Sequence, residues 1–470
     1  MNLIGNFLET ARRYGDRLAI IAGNGESISF SDLARRSGAF ARAWSEAGLQ
    51  KGDRVLVAMP VSLDLYAAIA GLWRLGAVIV FPEPALGLAG VRHAVNLTQP
   101  RALLTSGAYG LLRYLPQLWG VDLHLGLDGD KAGDALVDVV PDHGALISFT
   151  SGSTGLPKAI MRSHGFLAAQ DAALDALIAP QRADETDLVA FPVFVIANLA
   201  RGTTSVLPNW RLRKPDSARA ENIVRLVGAH KITRALVPPF IGEVLAAAPA
   251  LPLKTLLTGG GPVFPDLIER LTAVMPPEAD IVSVYGSTEA EPIAWQRARE
   301  ISATQWRAMV EGGGLLAGAP IAEIALRIVD DEILVTGDHV NKGYLGGRGD
   351  ADNKRQIDGG IWHRTGDAGA LDASGSLWLK GRASAGCNGL YPFEVEAPAR
   401  LWPGVRHAAF LVLKGAPVLA IEGDAERLKA WQAAAADLGV FKTVAVRKMP
   451  LDRRHRSKID YSALARQLQP

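Results

Sequence analysis

Short apolar strands that alternate with helix-length amphipathic segments constrain the fold of this chain more than any other feature. An amphipathic helix is predicted over residues 33–47, followed by a strand at 55–59. A second helix at 62–75 leads through Gly76 into a strand at 77–81. Strand, helix and strand in this order form a β-α-β unit, in which parallel strands are covered by the helix. The sequence therefore predicts an α/β fold.

The same alternation continues through the middle of the chain. It predicts further strands at residues 102–105, 146–150, 188–191, 234–237, 255–258 and 281–285. Residues 167–178 have a helical pattern, with Ser163 as a plausible N-cap. Proline- and glycine-rich joints at Pro238-Pro239 and residues 259–262 follow two of the strands. Open α/β sheets bind ligands at the carboxyl ends of their strands, so these joints are candidate ligand contacts.

The character of the sequence changes after about residue 315. Short alternating segments predict a small antiparallel β unit, with strands at residues 325–329, 333–336 and 377–380. Beyond Gly381-Arg382 the pattern is strand, strand, helix and strand, at residues 405–413, 417–421, 425–438 and 441–447. We therefore expect a large N-terminal domain of helix-covered, largely parallel sheets plus this β unit, residues 1–381. A small mobile α+β C-terminal domain, residues 382–470, follows it.

Composition narrows the class of protein. The 470 residues carry a net charge of +2, which gives no reason to expect nucleic acid as the main partner. The single cysteine, Cys387, excludes an internal disulfide and fits a reducing compartment. The N-terminus lacks the apolar core of a signal peptide, and Arg74 interrupts the most apolar region. We expect a cytoplasmic enzyme that does not span a membrane.

The polar loop after the strand at 146–150 is a candidate phosphate site. It consists of Thr150, Ser151, Gly152, Ser153, Thr154, Gly155, Leu156, Pro157 and Lys158. Its two glycines permit backbone angles that turn successive N–H groups toward an anion, and Lys158 adds a compact positive charge. The spacing differs from the common P-loop, in which the lysine directly follows the last glycine. The alternative is an ordinary surface loop rich in Gly, Ser and Thr.

Four further motifs follow this loop in a fixed order. They are Tyr285-Gly286-Ser287-Thr288-Glu289, Trp362-His363-Arg364-Thr365-Gly366-Asp367, Gly381-Arg382, and the stretch Pro450 to Asp460 that contains Ser457-Lys458-Ile459-Asp460. With the loop, they resemble the adenylate-forming superfamily of acyl-CoA synthetases, peptide-synthetase adenylation domains and luciferases. Each motif alone is weak, but their order across most of the chain is specific. The resemblance implies a large N-terminal and a small mobile C-terminal domain.

The resemblance also implies a reaction and a set of site residues. A substrate carboxylate attacks the α-phosphate of ATP, giving acyl-AMP and pyrophosphate. Residues Thr150 to Lys158 would hold the β- and γ-phosphates, and Glu289 would bind Mg²⁺ through its carboxylate oxygens. The resemblance also places Thr288 at the α-phosphate, and Lys458 between the substrate carboxylate and the α-phosphate. Asp367 would bind the ribose hydroxyls, with Arg382 beside it. The adenine would be bordered by Tyr285, Gly286, Gly259, Gly260 and Gly261.

Plain alternatives to these roles remain. In the alternative interpretation, Glu289 is a surface carboxylate, Asp367 caps a turn, and Tyr285 packs within a sheet. Lys458 lies in a run of charges that is normally a solvated face. A structural role for His164 and His363 is at least as well supported as a catalytic one. Phosphate contact by Arg454 and His455 stays an open alternative.

The acyl-binding region implied by the resemblance is apolar. It comprises residues 191–199 and 237–241, from which Phe194, Asn198 and Phe240 are the predicted substrate contacts. No charge is present there to pair an amino group, which disfavours an α-amino acid and favours a fatty or aryl acid. The predicted partners are therefore a small carboxylic acid and the thiol of CoA or phosphopantetheine, the latter on an acyl carrier protein.

The sequence departs from the family pattern at two places, of which the later one concerns the second half-reaction. Ala159 replaces a glycine after the loop lysine, a small change. Residues 383–391 form a shortened path from Arg382 to Pro392-Phe393-Glu394, without the usual hinge charge and hairpin.

Parts of the chain also resemble olefin-pathway β-lactone synthetases, which adenylate a β-hydroxy acid and close it on itself. The hypotheses are thus an acid–thiol ligase, a β-lactone synthetase, or a member that binds ligand without turnover; the motifs do not exclude a luciferase-like oxidase.

Overall fold

The computed structural model describes residues 2–83, 86–129, 131–150, 157–212, 214–452 and 458–469. The chain forms two compact units, which are described one at a time. The first contains Met1–Lys214, Ala229–Thr233 and Asp338–Ala351; the second contains Pro215–Gly228, Arg234–Gly337 and Asp352–Pro470. Among the described residues, no helix has the length and apolar character needed to cross a membrane.

The first unit alternates strands and helices from its N-terminus. Its strands are β1 (Leu18–Ile21), β2 (Ser27–Ser29), β3 (Arg54–Ala58), β4 (Val78–Val80), β5 (Ala102–Thr105), β6 (Leu123–Leu125), β7 (Gly144–Phe149), β8 (Ala159–Ser163), β9 (Thr186–Val189) and β10 (Thr204–Val206). Its α-helices are α1 (Ile4–Arg13), α2 (Phe30–Glu46), α3 (Leu63–Arg74), α4 (Gly87–Thr98), α5 (His164–Ile178) and α6 (Pro192–Arg201). Short 3₁₀ helices lie at Gly107–Tyr114, Pro116–Leu118 and Leu345–Gly347.

The strands of the first unit pair mainly in parallel. One sheet has the order β6-β5-β3-β4-β7-β8, with only β8 antiparallel to its neighbour. In another run, β9, β10 and β1 are parallel and β2 is antiparallel to β1. The predicted β-α-β unit is confirmed: β3 and β4 are adjacent and parallel, with α3 between them in the chain.

Local sequence explains where α3 and α5 begin. The hydroxyl of Ser62 accepts a hydrogen bond from Leu65 N, and that of Ser163 accepts one from Phe166 N. Both serines therefore satisfy backbone donors that the first helical turn leaves unpaired. Ser163 is the N-cap that the sequence predicts, and the helix after it starts a few residues earlier than predicted.

The second unit begins with parallel strands and continues as antiparallel ones. Its strands are β11 (Arg234–Val237), β12 (Thr255–Gly259), β13 (Asp280–Ser287), β14 (Ala290–Arg297), β15 (Leu315–Gly318), β16 (Ala325–Val329), β17 (Glu332–Thr336), β18 (Lys354–Ile357), β19 (Gly360–Leu371), β20 (Leu377–Arg382), β21 (Val405–Leu413), β22 (Ala416–Gly423) and β23 (Thr443–Val446). Its α-helices, with α11 at its edge, are α7 (Ala220–Ala229), α8 (Pro239–Leu245), α9 (Pro265–Val274), α10 (Ala303–Val310), α11 (Asp350–Asn353), α12 (Pro392–Arg400), α13 (Leu428–Asp437) and α14 (Tyr461–Leu468). Its 3₁₀ helices are Pro215–Ser217, Ala298–Glu300, Ala383–Ala385 and Ala425–Arg427.

These strands form three groups. Strands β11, β12 and β13 are parallel neighbours, and β14 is antiparallel to β13. The predicted small β unit is the antiparallel sheet β15-β20-β19-β17-β16, with β18 on β19. The last sheet has the order β21-β22-β23. The α/β prediction is therefore confirmed, whereas the domain boundary at residues 381/382 stays a prediction.

The sheet near the C-terminus is buried on both faces. Alternate residues of β21 point to opposite sides, so Phe410 packs with Trp431 of α13 while Leu411 packs with Leu464 of α14. The predicted helix at 425–438 begins as a 3₁₀ turn and becomes α-helical only at Leu428. The predicted strand at 441–447 is shorter, because Phe441 is 86% exposed and lies outside β23.

A buried carboxyl group lies inside this C-terminal sandwich. Glu396 of α12 is fully buried, and its Oε1 accepts hydrogen bonds from Tyr461 Oη at 2.7 Å and Phe410 N at 2.8 Å. Burial raises the pKa of Glu396 to about 8, although these two donors and nearby Arg400 oppose the shift. The carboxyl is therefore mostly protonated at neutral pH.

Replacing Glu396 by Gln should change how stability depends on pH. Between about pH 4.5 and 8 the folded wild-type protein keeps a proton on Glu396 that the unfolded chain releases. The free energy of unfolding therefore falls as pH rises through this window, and Gln, which does not titrate, removes that contribution. We expect the melting temperature of wild type minus that of Glu396→Gln to decrease from pH 5 to pH 8. A difference that is constant over this range would contradict the assignment.

Candidate functional site

The candidate phosphate loop is closed at its base by a strand pair. Strand β7 ends at Phe149, and Phe149 is paired with Ala159, the first residue of β8. Thr150 N donates to the carbonyl oxygen of Lys158 at 2.9 Å. The predicted contacts Ser151, Gly152, Ser153, Thr154 and Gly155 lie outside the described residues. The hairpin nevertheless fixes where the loop leaves and re-enters the sheet.

Lys158 is held by an aromatic ring in the same unit. Its Nζ lies 4.9 Å from the ring centre of Tyr344, which is 5% exposed. Tyr344 N in turn donates to Asp350 Oδ1 at 2.8 Å. A Cβ atom on Gly349 would lie 2.6 Å from Cδ of Lys158, so the glycine leaves room for the lysine stem. A cation is attracted to the face of an aromatic ring, so Tyr344 restricts the position of the lysine.

His93 supports the same loop from helix α4. Its Nε2 lies 2.8 Å from the carbonyl oxygen of Pro157, a contact in which Nε2 must be the donor. Its ring also meets the edge of Phe149, with centroids 5.6 Å apart. The sequence analysis missed His93 and Tyr344, because neither lies in a recognisable motif and both reach the loop only through the fold.

In the second unit, three of the predicted nucleotide contacts meet at one carboxylate. Tyr285 Oη donates to Asp367 Oδ2 at 2.9 Å, and Arg382 Nη1 donates to Asp367 Oδ1 at 2.9 Å. The Asp367 side chain is 26% exposed, so it remains open to solvent. Burial, and then the charge of Asp367, raise the pKa of Tyr285 well above its ordinary value. Tyr285 therefore stays a neutral hydrogen-bond donor to this carboxylate.

The backbone that carries Asp367 is braced by Glu332, which the sequence analysis missed. Glu332 Oε2 accepts hydrogen bonds from Arg364 Nε at 2.8 Å and Nη2 at 2.6 Å, and its Oε1 accepts one from Gly366 N at 3.0 Å. Thr365 Oγ1 accepts from Asp367 N at 3.0 Å and donates to the Ile333 carbonyl at 2.8 Å. Strand β17 thus fixes the Trp362–Asp367 motif through side chains as well as through sheet pairing.

The predicted glycines lie where backbone comes close. A Cβ on Gly259, at the end of β12, would lie 2.4 Å from the carbonyl oxygen of Val284 on β13. Gly260 has φ +77°, a conformation that L side chains rarely adopt. Gly261 follows directly, and a Cβ on Gly286 would lie 2.9 Å from the carbonyl oxygen of Ala290. Gly259 and Gly286 exclude larger residues because backbone lies close to them, and Gly260 does so because of its positive φ.

Thr288 and Glu289 form the turn between β13 and β14 and are half-buried. Two buried hydroxyls on the paired strands β12 and β13, Thr258 Oγ1 and Ser287 Oγ, have no hydrogen-bond partner among the described residues. Such groups are normally satisfied, so they fit a site that receives an oxygen-rich ligand. No cluster of three His, Cys, Asp or Glu side chains suited to a metal occurs in the described part of the chain.

The predicted substrate contacts differ in their surroundings. Phe194 of α6 is 8% exposed and meets Phe191 edge-on, with centroids 5.9 Å apart. Asn198 is fully buried, and its Nδ2 donates to Asp187 Oδ2 at 2.9 Å and to Ser205 Oγ at 3.1 Å. Phe240 is half-buried on α8 of the second unit. Their roles toward a substrate stay predictions.

The two histidines beside motifs have structural surroundings. His164 is fully buried, accepts a hydrogen bond from Leu3 N at 3.2 Å, and stacks on His143. Burial, followed by the charge of His143, lowers the pKa of His164 to about 4. His363 Nδ1 lies 3.1 Å from the Asn353 carbonyl oxygen and is nearly buried. Arg454 and His455 lie outside the described residues.

Lys458 is exposed in the second unit, next to an isolated antiparallel bridge. Its N donates to Asp452 Oδ1 at 3.0 Å, and its carbonyl oxygen accepts from Asp452 N at 2.8 Å. Leu451 and Ile459 form a bridge beside it. The shortened path after Arg382 contains a two-residue turn at Asn388-Gly389, both with positive φ, closed by paired hydrogen bonds between Cys387 and Leu390.

Comparisons with known proteins agree with the fold and the motifs. The sequence model of the family described as AMP-binding enzyme matches residues 7–345. An olefin beta-lactone synthetase of Xanthomonas campestris pv. campestris is 28% identical, over 99% of this chain and 97% of that protein. The fatty acid–[acyl-carrier-protein] ligase ScoC of Streptomyces coeruleorubidus is 28% identical, over 84% of this chain and 80% of its own length. The crystal structure of ATP-bound MatB from Rhodopseudomonas palustris matches with a TM-score of 0.81 at 20% identity, over 99% of this chain and 98% of that one.

Replacing Glu332 by Ala should destabilise the protein by about 1–3 kcal/mol. The substitution leaves Gly366 N and the Arg364 guanidinium without their shared acceptor, a carboxylate whose side chain is 11% exposed. Chemical denaturation monitored by circular dichroism measures the change. Glu46→Ala is the control, because it removes only an exposed ion pair with Arg42 and should cost at most about 0.5 kcal/mol. Equal effects of the two substitutions would show that Glu332 does not brace the motif.

Proposed function

This chain belongs to the AMP-binding enzyme family, and we propose from that premise that it is an AMP-forming ligase that activates an apolar carboxylic acid with ATP. The reaction forms acyl-AMP and pyrophosphate, and the acyl group then passes to a thiol. The observation that carries the proposal is the Asp367 carboxylate, which is held between Tyr285 and Arg382 and remains partly open. It brings three separate sequence motifs to one point.

Asp367 would bind the ribose hydroxyls of ATP. Each of its oxygens already accepts one hydrogen bond, from Tyr285 or Arg382, and an ionised carboxylate oxygen has a second acceptor site. Hydroxyl donors of a ribose fit those two remaining sites. The Tyr285 ring and Gly259 to Gly261 would then border the adenine; Gly259 leaves no room for a Cβ atom, and Gly260 has a positive φ.

Charge on the triphosphate would be met by a lysine, by hydroxyl groups and by a metal ion. Lys158 and the loop that begins at Thr150 suit the β- and γ-phosphates, and Tyr344 restricts the lysine in advance. Thr288 offers a hydroxyl to the α-phosphate. Glu289 offers oxygen ligands to Mg²⁺, a hard cation that neutralises phosphate charge.

Lys458 would align the two anions that react. A carboxylate oxygen of the acid attacks the α-phosphorus, the bond to the bridging oxygen breaks, and pyrophosphate leaves with its electron pair. The reactants repel each other, so a cation between them lowers the cost of approach and stabilises the charge that develops on phosphoryl oxygens. The exposed ammonium of Lys458 is suited to this bridging role.

The acid is proposed to be a fatty or other apolar acid. Phe191 and Phe194 supply aromatic surface at the start of α6, and the sequence there contains no charge to pair an amino group. The acceptor is proposed to be the thiol of CoA or of phosphopantetheine on an acyl carrier protein. The thiolate attacks the acyl carbon and AMP leaves. The relative ScoC is named as a fatty acid–[acyl-carrier-protein] ligase, which supports an acceptor of this type.

A second candidate function is β-lactone formation. There the hydroxyl of a β-hydroxy acid attacks its own acyl carbon, loses its proton, and displaces AMP. Two observations favour it: the tight Asn388-Gly389 turn on the shortened path after Arg382, and the nearly full-length similarity to an olefin beta-lactone synthetase. The same shortened path leaves less chain with which to build a thiol channel.

Product analysis by mass spectrometry tests both candidates. Purified protein is incubated with ATP, Mg²⁺ and fatty, β-hydroxy or aryl acids, with and without CoA. CoA-dependent AMP release and an acyl-CoA product would support the thiol ligase. AMP release without CoA, confined to β-hydroxy acids and with a product one water lighter, would support lactone formation. Acyl-AMP accumulating in both arms would point to carrier protein as acceptor, and absence of AMP from every acid would overturn the proposal.

Replacing Asp367 by Ala should weaken ATP binding by about 10- to 100-fold, since charge-assisted hydrogen bonds to the ribose are lost. Isothermal titration calorimetry measures the dissociation constant. Asp372→Ala is the matched control, because Asp372 lies at the turn of the same β19–β20 hairpin and its side chain accepts hydrogen bonds from Ser374, Ser376 and Trp378. An unchanged dissociation constant for Asp367→Ala would show that another carboxylate binds the nucleotide.

Replacing Lys458 by Ala should abolish acyl-AMP formation while ATP affinity stays within about threefold, because the lysine acts between the reacting anions rather than on the nucleotide alone. Acid-dependent pyrophosphate release and calorimetry give the two readings. Lys448→Ala, an exposed lysine earlier in the same chain segment, should leave both unchanged. Normal pyrophosphate release by Lys458→Ala would refute the assigned role.

A further inference from the structure

Helix α12 carries two buried ionisable residues that connect it to different parts of the second unit. Glu396 and Arg400 are four positions apart, one helical turn, so they lie on the same side of the helix. Glu396 is fully buried and Arg400 is 9% exposed. Burying an ionisable group costs free energy unless the group is paired. The partners of these two residues therefore show which elements the helix is fixed to.

Arg400 fixes α12 to helices α8 and α9. Its Nε and Nη2 donate to the two carboxylate oxygens of Asp266 at 2.8 and 3.0 Å, and Nη2 also donates to Glu243 Oε1 at 2.9 Å. Burial alone would raise the pKa of Asp266, but the charges and hydrogen bonds of Arg400 and Arg270 hold it below its ordinary value. The planar guanidinium thus grips two helices in a defined orientation.

Glu396 fixes α12 to the beginning of α14. Its Oε1 accepts from Tyr461 Oη at 2.7 Å, in a partly buried hydrogen bond. The ring of Tyr461 packs in the cluster that contains Leu411 and Leu464. The Phe410 N–H donates to the same Oε1, which ties the carboxyl to β21 and restricts its rotation.

Tyr461 lies three residues after Lys458, and the residues between them are tightly held. Asp460 caps α14 by accepting from Ala463 N at 2.9 Å, and Asp460 N donates to the Pro450 carbonyl at 2.9 Å. Ile459 forms the bridge to Leu451. Three residues span at most about 10 Å, so the anchor of Tyr461 restricts the position of the Lys458 backbone.

We infer that Glu396 is a positioning residue for Lys458, which it fixes to helix α12 through its hydrogen bond to Tyr461. Arg400 fixes the same helix to α8 and α9. The position of the lysine is therefore also set relative to the part of the unit that precedes the small β sheet. The inference rests on the proposed role of Lys458 in acid activation. Glu396 itself touches no substrate in this account.

Three variants separate positioning from simple packing. Tyr461→Phe removes the hydroxyl donor and leaves the ring in place. Glu396→Leu removes the acceptor at similar volume, whereas Glu396→Gln keeps an oxygen that accepts from Tyr461 and Phe410. We expect kcat for acid-dependent pyrophosphate release to fall at least about tenfold in Tyr461→Phe and Glu396→Leu, with KM for ATP within about twofold of wild type. Glu396→Gln should restore most of kcat.

Trp431→Phe is the stability control. Trp431 Nε1 donates to the Pro403 carbonyl at 3.1 Å in the other core of the same sandwich, away from Tyr461. It should lower the melting temperature and leave kcat unchanged. If Trp431→Phe lowers kcat as much as Tyr461→Phe does, or if Glu396→Gln is no better than Glu396→Leu, the inference is overturned.

Hydrogen exchange gives a reading that does not depend on turnover. In the free protein, Tyr461→Phe should raise amide exchange in residues 458–468 more than in β21 and β22, because only the anchor of that segment is lost. Unchanged exchange there would overturn the inference even if activity fell. If exchange rises in Tyr461→Phe but the wild-type protein activates no acid, the role of the anchor is supported and the proposed function is refuted.

Discussion

The arrangement of the second unit around the Asp367 carboxylate is the constraint on which the candidate site depends. One oxygen is bound by Tyr285 at the end of β13 and the other by Arg382 at the end of β20, so a single charge holds two strand ends together. Glu332 then fixes the backbone before Asp367. A carboxylate oriented by a phenol, a guanidinium and its own strand loses little further freedom when a ligand binds, which favours tight and specific recognition.

The C-terminal part of the chain uses buried polar groups for a related purpose. An apolar core alone would pack α12 and α14 against the sheet of β21, β22 and β23. It would not fix the position of each helix along that sheet. The bonds from Glu396 to Tyr461 and from Arg400 to Asp266 have one good geometry each, because hydrogen bonds weaken steeply with angle. They therefore set the position of the segment that presents Lys458, at the cost of burying a carboxyl whose pKa is raised to about 8.

Much of this could be predicted from sequence because the informative patterns are local. Strands Arg234–Val237 and Val405–Leu413 have the bounds that the sequence predicts, and Ser163 caps a helix for reasons contained in four residues. Glu332, His93 and Tyr344 could not be found in this way. Each contacts the site through a partner at least 30 residues away in the chain, and none stands in a pattern that distinguishes it from an ordinary strand or helix residue.

The central claim is that this chain joins a carboxylic acid to the α-phosphate of ATP, and isotope exchange between pyrophosphate and ATP tests it most directly. Protein, ATP, Mg²⁺ and labelled pyrophosphate are incubated with single acids from an apolar series. The account predicts that label enters ATP only when an accepted acid is present, because only reversal of acyl-AMP formation rebuilds the triphosphate. Label that enters ATP without any acid, or no label with every acid while ATP still binds, would contradict the claim.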